Sequence, residues 1–263
     1  MFTIIIPLRI DHNDRLINAE ITLNYLINNI KEKEIIIIEN SKTSLYHKMR
    51  LIDRKCITHI FQENNDQLFH RMKCINDGLL IAKFPITLIY DIDVLIPLNV
   101  FNELIIKVLV DNCDIVKPFN NPPGCIYIHQ NNKNVILEKC LKGECFDITN
   151  YTIKKFDKTG FAGNGFVVCV NTETYKTLGG ENEDFLAYGP EDNERYYRFE
   201  KLGKKIGICN YPVYHLEHFR TTNSNSANPA FKTNHELLNK IKNMTKNELI
   251  NYYEIKKQNF LNS

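Results

Sequence analysis

Two aspartates and two histidines have types and a spacing that could bind a metal ion. Asp91 and Asp93 follow the apolar run ITLIY, and His215 and His218 lie three residues apart near the end of the chain. If one strand contains both aspartates, their carboxylates share a face and offer two hard oxygens, which suit Mg²⁺ or Mn²⁺. Because solvated acids in a strand-to-loop turn show the same spacing, both interpretations stay open at this point.

The spacing of His215 and His218 predicts different sites for different backbones. In a helical turn both imidazoles face one side, whereas in an extended chain they face opposite sides and only one can be a ligand. Surface histidines in a hairpin, or half of a zinc site, are further alternatives. No cysteine pairs at zinc-ribbon spacing accompany them. A metal site therefore needs a fold that brings the aspartates to the histidines.

Alternating apolar and amphipathic segments supply such a fold. The apolar runs predict buried parallel strands at 2–8, 34–40 and 86–93. The amphipathic segments between them predict helices at 14–31 and 66–83. This order is typical of an α/β doubly wound sheet, which binds its ligand at the carboxyl ends of the strands. Asp91 and Asp93 lie at such an end.

The second half of the chain predicts further α/β elements. The expected segments are a helix at 100–110, strands at 114–119 and 165–171, helices from about 172 and about 191, and an amphipathic helical tail at 232–259. Gly203 is the expected C-terminal stop of the helix from about 191. Residues 120–158 follow no pattern and are left unassigned.

Composition and charge restrict the class of partners. The 263 residues are 43% hydrophobic and 24% charged, which is typical of a folded soluble domain. The 33 basic and 31 acidic residues are well mixed, so no positive field favours nucleic acid or an anionic membrane. Neither a signal peptide nor a membrane span is predicted, and the eight cysteines are expected to be reduced. We therefore expect a cytoplasmic protein.

Two blocks of residues carry a resemblance to a known family. The first block contributes Phe69, Arg71, Lys73, Asn76, Gly78, Asp91, Asp93, Ile96, Pro97 and Asn99, and the second, at 160–203, includes the run Tyr188-Gly-Pro-Glu-Asp-Asn-Glu194. In this register they resemble nucleotide-sugar glycosyltransferases of the GT-A fold, above all the β-1,4-galactosyltransferase family. Chondroitin-type polymerases and polypeptide N-acetylgalactosaminyltransferases share looser versions. The resemblance covers roughly residues 2–235.

The resemblance implies an α/β fold of the GT-A type. A Rossmann-like, mostly parallel central sheet would be flanked by helices in a single domain. Residues 1–99 would form a nucleotide-sugar-binding half that ends in the D-x-D motif, and 100–235 an acceptor-binding half with the catalytic aspartate and the metal histidines. Residues 236–263 would be a C-terminal helical tail.

The resemblance also implies a binding site for a UDP-sugar. Its residues would be Pro7, Arg9, Glu39, Phe69, Arg71, Asp91 and Gly163. Phe69 and Arg71 would supply an aromatic wall for uracil and a cation for the diphosphate. Glu39 could accept a hydrogen bond from the uracil N–H. The run Gly160-Phe-Ala-Gly163 stands where the galactosyl enzymes have a tyrosine that crowds an N-acetyl group, and a small residue there would admit an N-acetylhexosamine. The sugar is therefore open between galactose and its N-acetylated relatives.

Asp192 matches the catalytic base of the family. In an inverting transfer, such a base deprotonates the acceptor hydroxyl as that oxygen attacks the anomeric carbon. An acidic residue in a first helical turn can also be an ordinary complement to the helix dipole. Tyr188 replaces the family's tryptophan as a sugar platform, and Glu191 and Asn193 would orient acceptor hydroxyls.

Asp93, His218 and His215 are the metal ligands that the resemblance implies, and Mn²⁺ is the expected ion. The family carries Met-x-x-His at the histidine positions, so an imidazole at His215 should broaden tolerance toward Mg²⁺. The segment 219–234 has the composition of a mobile loop and could act as a lid over the donor. A plain connector to the tail is the alternative.

The sequence thus predicts a metal-dependent inverting glycosyltransferase. It would transfer a hexose or N-acetylhexosamine of the galactose type from a UDP-sugar to a hydroxyl of a glycan or glycoconjugate. One alternative is a retaining N-acetylgalactosaminyltransferase-type enzyme, which should not need Asp192 as a base. Another is a non-catalytic glycan- or nucleotide-binding module. No nucleic-acid partner and no transmembrane segment are expected, and peripheral membrane association is compatible with this prediction.

Overall fold

A seven-stranded sheet forms the centre of the protein. The computed structural model describes residues 1–120, 124–155 and 164–262. The strands of the large sheet, in spatial order, are β10 (Ile206–Ile208), β6 (Ile115–Lys117), β9 (Val167–Asn171), β4 (Ile86–Tyr90), β1 (Phe2–Leu8), β2 (Lys33–Ser41) and β3 (Ile57–Glu63). Only β9 of these seven runs antiparallel to its neighbours. The sheet is therefore mostly parallel, as the sequence predicted.

A smaller sheet adds the strands that position the histidines. Its order is β5 (Val94–Leu95), β11 (Val213–Leu216), β7 (Cys125–Ile128) and β8 (Thr152–Lys155). Strand β5 begins directly after Asp93, and it pairs antiparallel with β11 so that Val94 lies opposite His215. This pairing joins the end of the parallel sheet to the histidine segment.

Helices cover both faces of the large sheet. They are α1 (Asn13–Asn29), α2 (Arg71–Ile81), α3 (Leu98–Leu109), α4 (Lys133–Leu141), α5 (Thr172–Thr177), α6 (Glu191–Lys201), α7 (Phe231–Asn243) and α8 (Lys246–Leu261). Ile4 and Ile6 belong to the apolar cluster on one face, and Ile5 belongs to the cluster on the other. Alternate residues of a strand face opposite sides, so the unbroken isoleucine run of β1 reflects burial on both faces. No described helix combines the length and apolar character needed to cross a membrane.

Several predicted boundaries and one predicted gap differ from the structure. Helix α2 begins at Arg71 and not at 66, because the residues before it form turns. The side chains of Asn64 and Asp66 accept hydrogen bonds from backbone N–H groups two residues later. The unassigned stretch 120–158 contains β7, α4 and β8, and β3 was not predicted. The tail is two helices, since the first ends at Asn243 and Thr245 caps the second through a capping box with Glu248.

Candidate active site

A cavity of about 800 Å³ opens at the carboxyl ends of the parallel strands. Among the predicted site residues, its lining includes Pro7, Arg9, Phe69, Arg71, Asp91, Asp93, Tyr188, Glu191, Asp192, Asn193, His215 and His218. Residues from both predicted halves of the chain therefore meet at one place. Gly163 lies outside the described residues.

Asp93 and the two histidines form a compact cluster on one wall of the cavity. The Nε2 atom of His218 lies 3.0 Å from Asp93 Oδ2, and Nε2 of His215 lies 3.6 Å from Asp93 Oδ1. One ligand atom from each of the three residues lies within 4.8 Å of the others. His215 is in the extended strand β11, which ends one residue later, so the chain turns before His218. Both imidazoles therefore lie close to Asp93 although neither histidine is in a helix. The sequence predicted two ligands only from a helical turn and one from an extended chain, so this geometry was not expected.

The electrostatics of this cluster fit a cation. Burial disfavours the charge on Asp93, but the neighbouring His215 and His218 hold the pKa of this carboxyl well below its usual range. Burial also lowers the pKa of His215 to about 4, so its imidazole is neutral at neutral pH, the form that binds metals. Its Nδ1 is buried and has no hydrogen-bond partner among the described residues. One carboxylate and two imidazoles are a donor set suited to a divalent transition metal such as Mn²⁺, and they also suit Zn²⁺.

The D-x-D carboxylates point to different partners. The strand β4 ends at Tyr90, before both aspartates, so they lie in a turn and not on one strand face. Asp91 Oδ1 accepts a hydrogen bond of 2.8 Å from Arg71, and its Oδ2 accepts one from the backbone N–H of Phe166. The shared-face geometry expected from the spacing was wrong, because the strand is three residues shorter than predicted.

The acidic start of α6 forms a second wall of the cavity. Asp192 Oδ1 lies 2.9 Å from Arg195 and 3.5 Å from Arg71. Both contacts go to Oδ1, and Oδ2 lies toward Gly165, where an added Cβ would be only 2.8 Å away. A glycine at this position thus makes room for the carboxylate.

Glu191 is the more deeply buried acid of this wall. Burial, followed by the charge of Asp192, raises the pKa of Glu191 to about 8. Its Oε1 lies 3.5 Å from Arg71, and its Oε2 is buried with no hydrogen-bond partner among the described residues. A protonated carboxyl at neutral pH can donate a hydrogen bond to a ligand.

Two arginines pair with the carboxylates of this wall. Burial opposes ionisation of Arg71, but Asp91, Asp192 and Glu191 raise its pKa. Arg195 is 1% exposed and also binds Glu181 at 2.6 Å and the hydroxyl of Tyr175. Asp192 is therefore attached to a buried ionic network.

The predicted nucleotide residues have unequal access to the cavity. Phe69, Pro7 and Arg9 line it, but the Arg9 guanidinium is already engaged, because it donates to the carbonyls of Leu68 and Asp66. Glu39 is fully buried and does not line the cavity. Its carboxylate accepts hydrogen bonds from Ser44 and from the backbone of Leu45, and it contacts His59. The structure therefore does not bring Glu39 to a ligand in this cavity.

The predicted acceptor platform lies at the rim. Tyr188 is 39% exposed, and its ring stacks on Phe231 at 6.0 Å between centroids. The buried Asn234 of α7 holds this turn by hydrogen bonds to Leu186 and Tyr188. The platform is thus fixed by the first helix of the tail.

The segment 219–234 runs along the edge of the cavity. Asn223 accepts from the backbone N–H of Phe69 and donates to the carbonyl of Gln67, and Thr221 donates to Asp11. Arg220, Asn223 and Ser224 line the cavity. The proposed lid segment therefore bridges the turn before α2 and the start of α1.

Sequence reasoning missed several lining residues. Arg15 lies 3.1 Å from Asp11 and 3.7 Å from Asp93, and no local pattern marks it because it projects from an ordinary amphipathic helix. Tyr127 lies in the stretch left unassigned. Phe166 has φ of 74°, a rare conformation for an aromatic residue, and the Asn-Gly-Phe turn was the available signal.

Comparisons with known proteins identify the fold. No protein-family model and no curated protein sequence matches the chain. The structure is similar to the mannosyltransferase PcManGT from Pyrobaculum calidifontis in complex with GDP-Man and Mn²⁺, with a TM-score of 0.54 and 13% identity over 99% of this chain and 71% of that one. It is also similar to GalNAc-T7 with UDP, GalNAc and Mn²⁺, with a TM-score of 0.59 and 14% identity over 91% of this chain and 47% of that one.

A third similar structure is the Drosophila β1,4-galactosyltransferase 7, in a variant complex with manganese, UDP-Gal and xylobiose. Its TM-score is 0.49 and its identity 14%, over 90% of this chain and 78% of that one. The similarity to the mannosyltransferase and to GalNAc-T7 shows that the chain has a GT-A fold, which confirms the predicted fold. The family stays a prediction.

Proposed function

We propose that this protein is a metal-dependent inverting glycosyltransferase. It would transfer a hexose or N-acetylhexosamine of the galactose type from a UDP-sugar to a hydroxyl of a glycan. The observation that carries the proposal is the shared cavity, which has the Asp93 cluster on one wall and Asp192 on another. The GT-A fold supports the same class of enzyme.

The Asp93 wall would bind the donor diphosphate. A divalent metal ion, Mn²⁺ or Mg²⁺, held by Asp93, His215 and His218 would neutralise the charge that develops on the leaving UDP. Arg15 adds fixed positive charge to this wall, at 3.7 Å from Asp93. Phe69 offers an aromatic surface for the uracil.

The Asp192 wall would bind and activate the acceptor. Asp192 Oδ2 would take the proton of the acceptor hydroxyl while that oxygen forms a bond to the anomeric carbon and the bond from this carbon to the diphosphate breaks. Attack from the face opposite the diphosphate inverts the configuration. Glu191, protonated near neutral pH, would donate a hydrogen bond to an acceptor hydroxyl, and Tyr188 would support the sugar ring.

A thermal-shift screen tests the donor and the metal together. The protein is heated with UDP-galactose, UDP-N-acetylgalactosamine, UDP-N-acetylglucosamine, UDP-glucose or UDP-glucuronate, each with and without Mn²⁺. We expect a galactose-type donor to raise the Tm only with Mn²⁺, because bound ligand stabilises the folded state. An equal shift without metal contradicts the metal assignment. No shift with any donor contradicts the proposed function and supports a non-catalytic module.

Retention of configuration is the second candidate mechanism. The observation in its favour is that Arg71 and Arg195 both contact Asp192, because a carboxylate that only positions these arginines would make the same contacts. NMR of the product distinguishes the two, because inversion from an α-linked donor gives a β-linked sugar. An α-linked product, together with full transfer by Asp192→Asn, would support retention.

A further inference from the structure

A second groove adjoins the candidate active site. It has a volume of about 420 Å³, and we call it the α6 groove. Its lining residues are Lys117, Asn120, Asn164, Asn193, Tyr196, Tyr197, Glu200, Ile206, Ile208 and Lys242. Asn164 and Asn193 line both the groove and the catalytic cavity, and the Asn164 side chain donates a 2.8 Å hydrogen bond to Asn193. The two spaces therefore meet at this amide pair.

One face of α6 runs along the whole groove. Asn193, Tyr196, Tyr197 and Glu200 follow the spacing that places residues on a single helical face. The same helix begins at Glu191 and Asp192. The rise of 1.5 Å per residue puts Asn193 and Glu200 about 10 Å apart along the axis. A ligand that reacts beside Asp192 can thus continue along the helix into the groove.

The lining has the mixed chemistry that recognises sugars. Tyr196 is 6% exposed, and its hydroxyl is buried with no hydrogen-bond partner in the described part of the chain. Lys117 lies 4.9 Å from the centre of the Tyr196 ring and donates to the side chains of Asn120 and Asn164. Amides and hydroxyls pair with sugar hydroxyls, and aromatic and aliphatic side chains pack on the apolar ring faces.

We propose that the α6 groove binds the second sugar unit of the acceptor, so that the enzyme prefers a glycan of at least two units. This inference rests on the proposed function. The charged side chains of the groove have both signs, Lys117 and Lys242 against Glu200, and a neutral glycan therefore fits better than a strongly ionic one. The Tyr196 hydroxyl and the amide pair would contact its hydroxyl groups.

Binding measurements on matched sugars test the groove. Isothermal titration calorimetry with UDP and Mn²⁺ present compares N,N′-diacetylchitobiose with N-acetylglucosamine, lactose with galactose, and cellobiose with glucose. For at least one pair we expect the disaccharide to bind about tenfold more tightly, because it gains contacts in the groove. Tyr196→Phe should reduce this ratio about fivefold, the size of one hydrogen bond.

Two further variants separate the groove from the cavity. Ile208→Trp fills the groove and should bring the ratio close to one, without weakening binding of the monosaccharide. Tyr151→Phe removes a hydroxyl away from both spaces and should leave the ratio unchanged. Equal affinities in every pair, or a Tyr196→Phe variant with an unaltered ratio, would overturn the groove assignment. If a UDP-sugar still binds with Mn²⁺ in that case, the proposed function survives without the groove.

Discussion

The two acidic walls of the cavity neutralise their carboxylates in different ways. Asp93 lies beside two imidazoles, at 3.0 and 3.6 Å, whereas Asp192 lies beside two guanidinium groups, at 2.9 and 3.5 Å. A guanidinium is permanently charged and has no lone pair to offer, whereas the neutral form of an imidazole offers a lone pair to a metal ion. Asp192 is thus paired closely with a fixed charge, Arg195 at 2.9 Å, whereas the guanidinium of Arg15 lies 3.7 Å from Asp93 and the imidazoles beside this carboxylate can bind a metal cation.

The two walls also differ in their connection to the core. Arg195 links Asp192 to Glu181 and Tyr175 inside the protein. The Asp93 cluster lies where the turn after β4 meets the end of strand β11. Its geometry depends on the pairing of β5 with β11. We therefore expect substitutions on the Asp192 wall to affect stability and turnover, and substitutions on the Asp93 wall to affect binding of metal and donor.

The largest expected effect is on stability, in Arg195→Ala. This change leaves the buried Glu181 without its ionic partner, which should cost about 3–5 kcal/mol of unfolding free energy in urea titrations. Lys232→Ala is the control, because Lys232 is also paired with a glutamate, Glu236, but both side chains are exposed, at 87% and 62%. The control should lose about 1 kcal/mol or less. Equal losses would contradict the distinction between a core-attached wall and a surface ion pair.

Asp192→Asn should have the next largest effect, this time on turnover. Removing a general base lowers kcat by about 100-fold or more. Because the amide is nearly isosteric, the fold and the binding of UDP-sugar should be preserved. Steady-state kinetics and calorimetry on the same preparation measure both quantities. Wild-type kcat in the variant would remove Asp192 from the role of base.

Gly165→Ala should disturb the same wall more mildly. The new methyl group would lie 2.8 Å from Asp192 Oδ2, so the carboxylate must move by several tenths of an ångström. Since misplacement of a catalytic group slows the reaction steeply, we expect kcat to fall about tenfold with little change in donor affinity. A fall in donor affinity with unchanged kcat would place Oδ2 on the donor side of the cavity.

Taken per pH unit, the smallest expected effect is a pH dependence of stability caused by Glu191. The folded protein keeps this proton up to about pH 8, whereas an unperturbed glutamate releases it near pH 4.5. Between these values the unfolded state binds fewer protons, so stability falls as pH rises, by up to about 1.4 kcal/mol per pH unit. Glu191→Gln should flatten this part of the curve in urea titrations at pH 5–8. An unchanged slope would show that Glu191 is ionised throughout this range.

The sequence was sufficient for the central sheet because burial determines its pattern. The isoleucine runs of β1 and β2 are buried on both faces, and their bounds were predicted within one residue. Strand β3 was missed because it is partly exposed and has no continuous apolar run. The elements within 120–158 were missed because their helix, α4, is short and weakly amphipathic.

For the site, the sequence indicated which residues could carry chemistry better than it indicated which side chains they contact. Chemistry and spacing marked Asp93 and the histidines, but their meeting depends on β5 and β11, two short strands from distant parts of the chain. The role of Arg71 as a partner of three carboxylates depends on tertiary contacts that no local pattern encodes. Glu39 shows how little a position at a strand end says about partners, since its carboxylate is buried and accepts hydrogen bonds from Ser44 and Leu45.

Metal-dependent donor binding in two variants tests the difference between the walls most directly. Calorimetry would measure the Kd of the best UDP-sugar with and without Mn²⁺ for the wild type, His218→Ala and Asp192→Asn. Loss of a ligand should weaken Mn²⁺-dependent donor binding at least about tenfold in His218→Ala. In Asp192→Asn, Mn²⁺-dependent binding should match the wild type while transfer is lost. If His218→Ala retains full Mn²⁺-dependent binding, or if both variants lose it equally, the assignment of the metal to one wall and the base to the other is wrong.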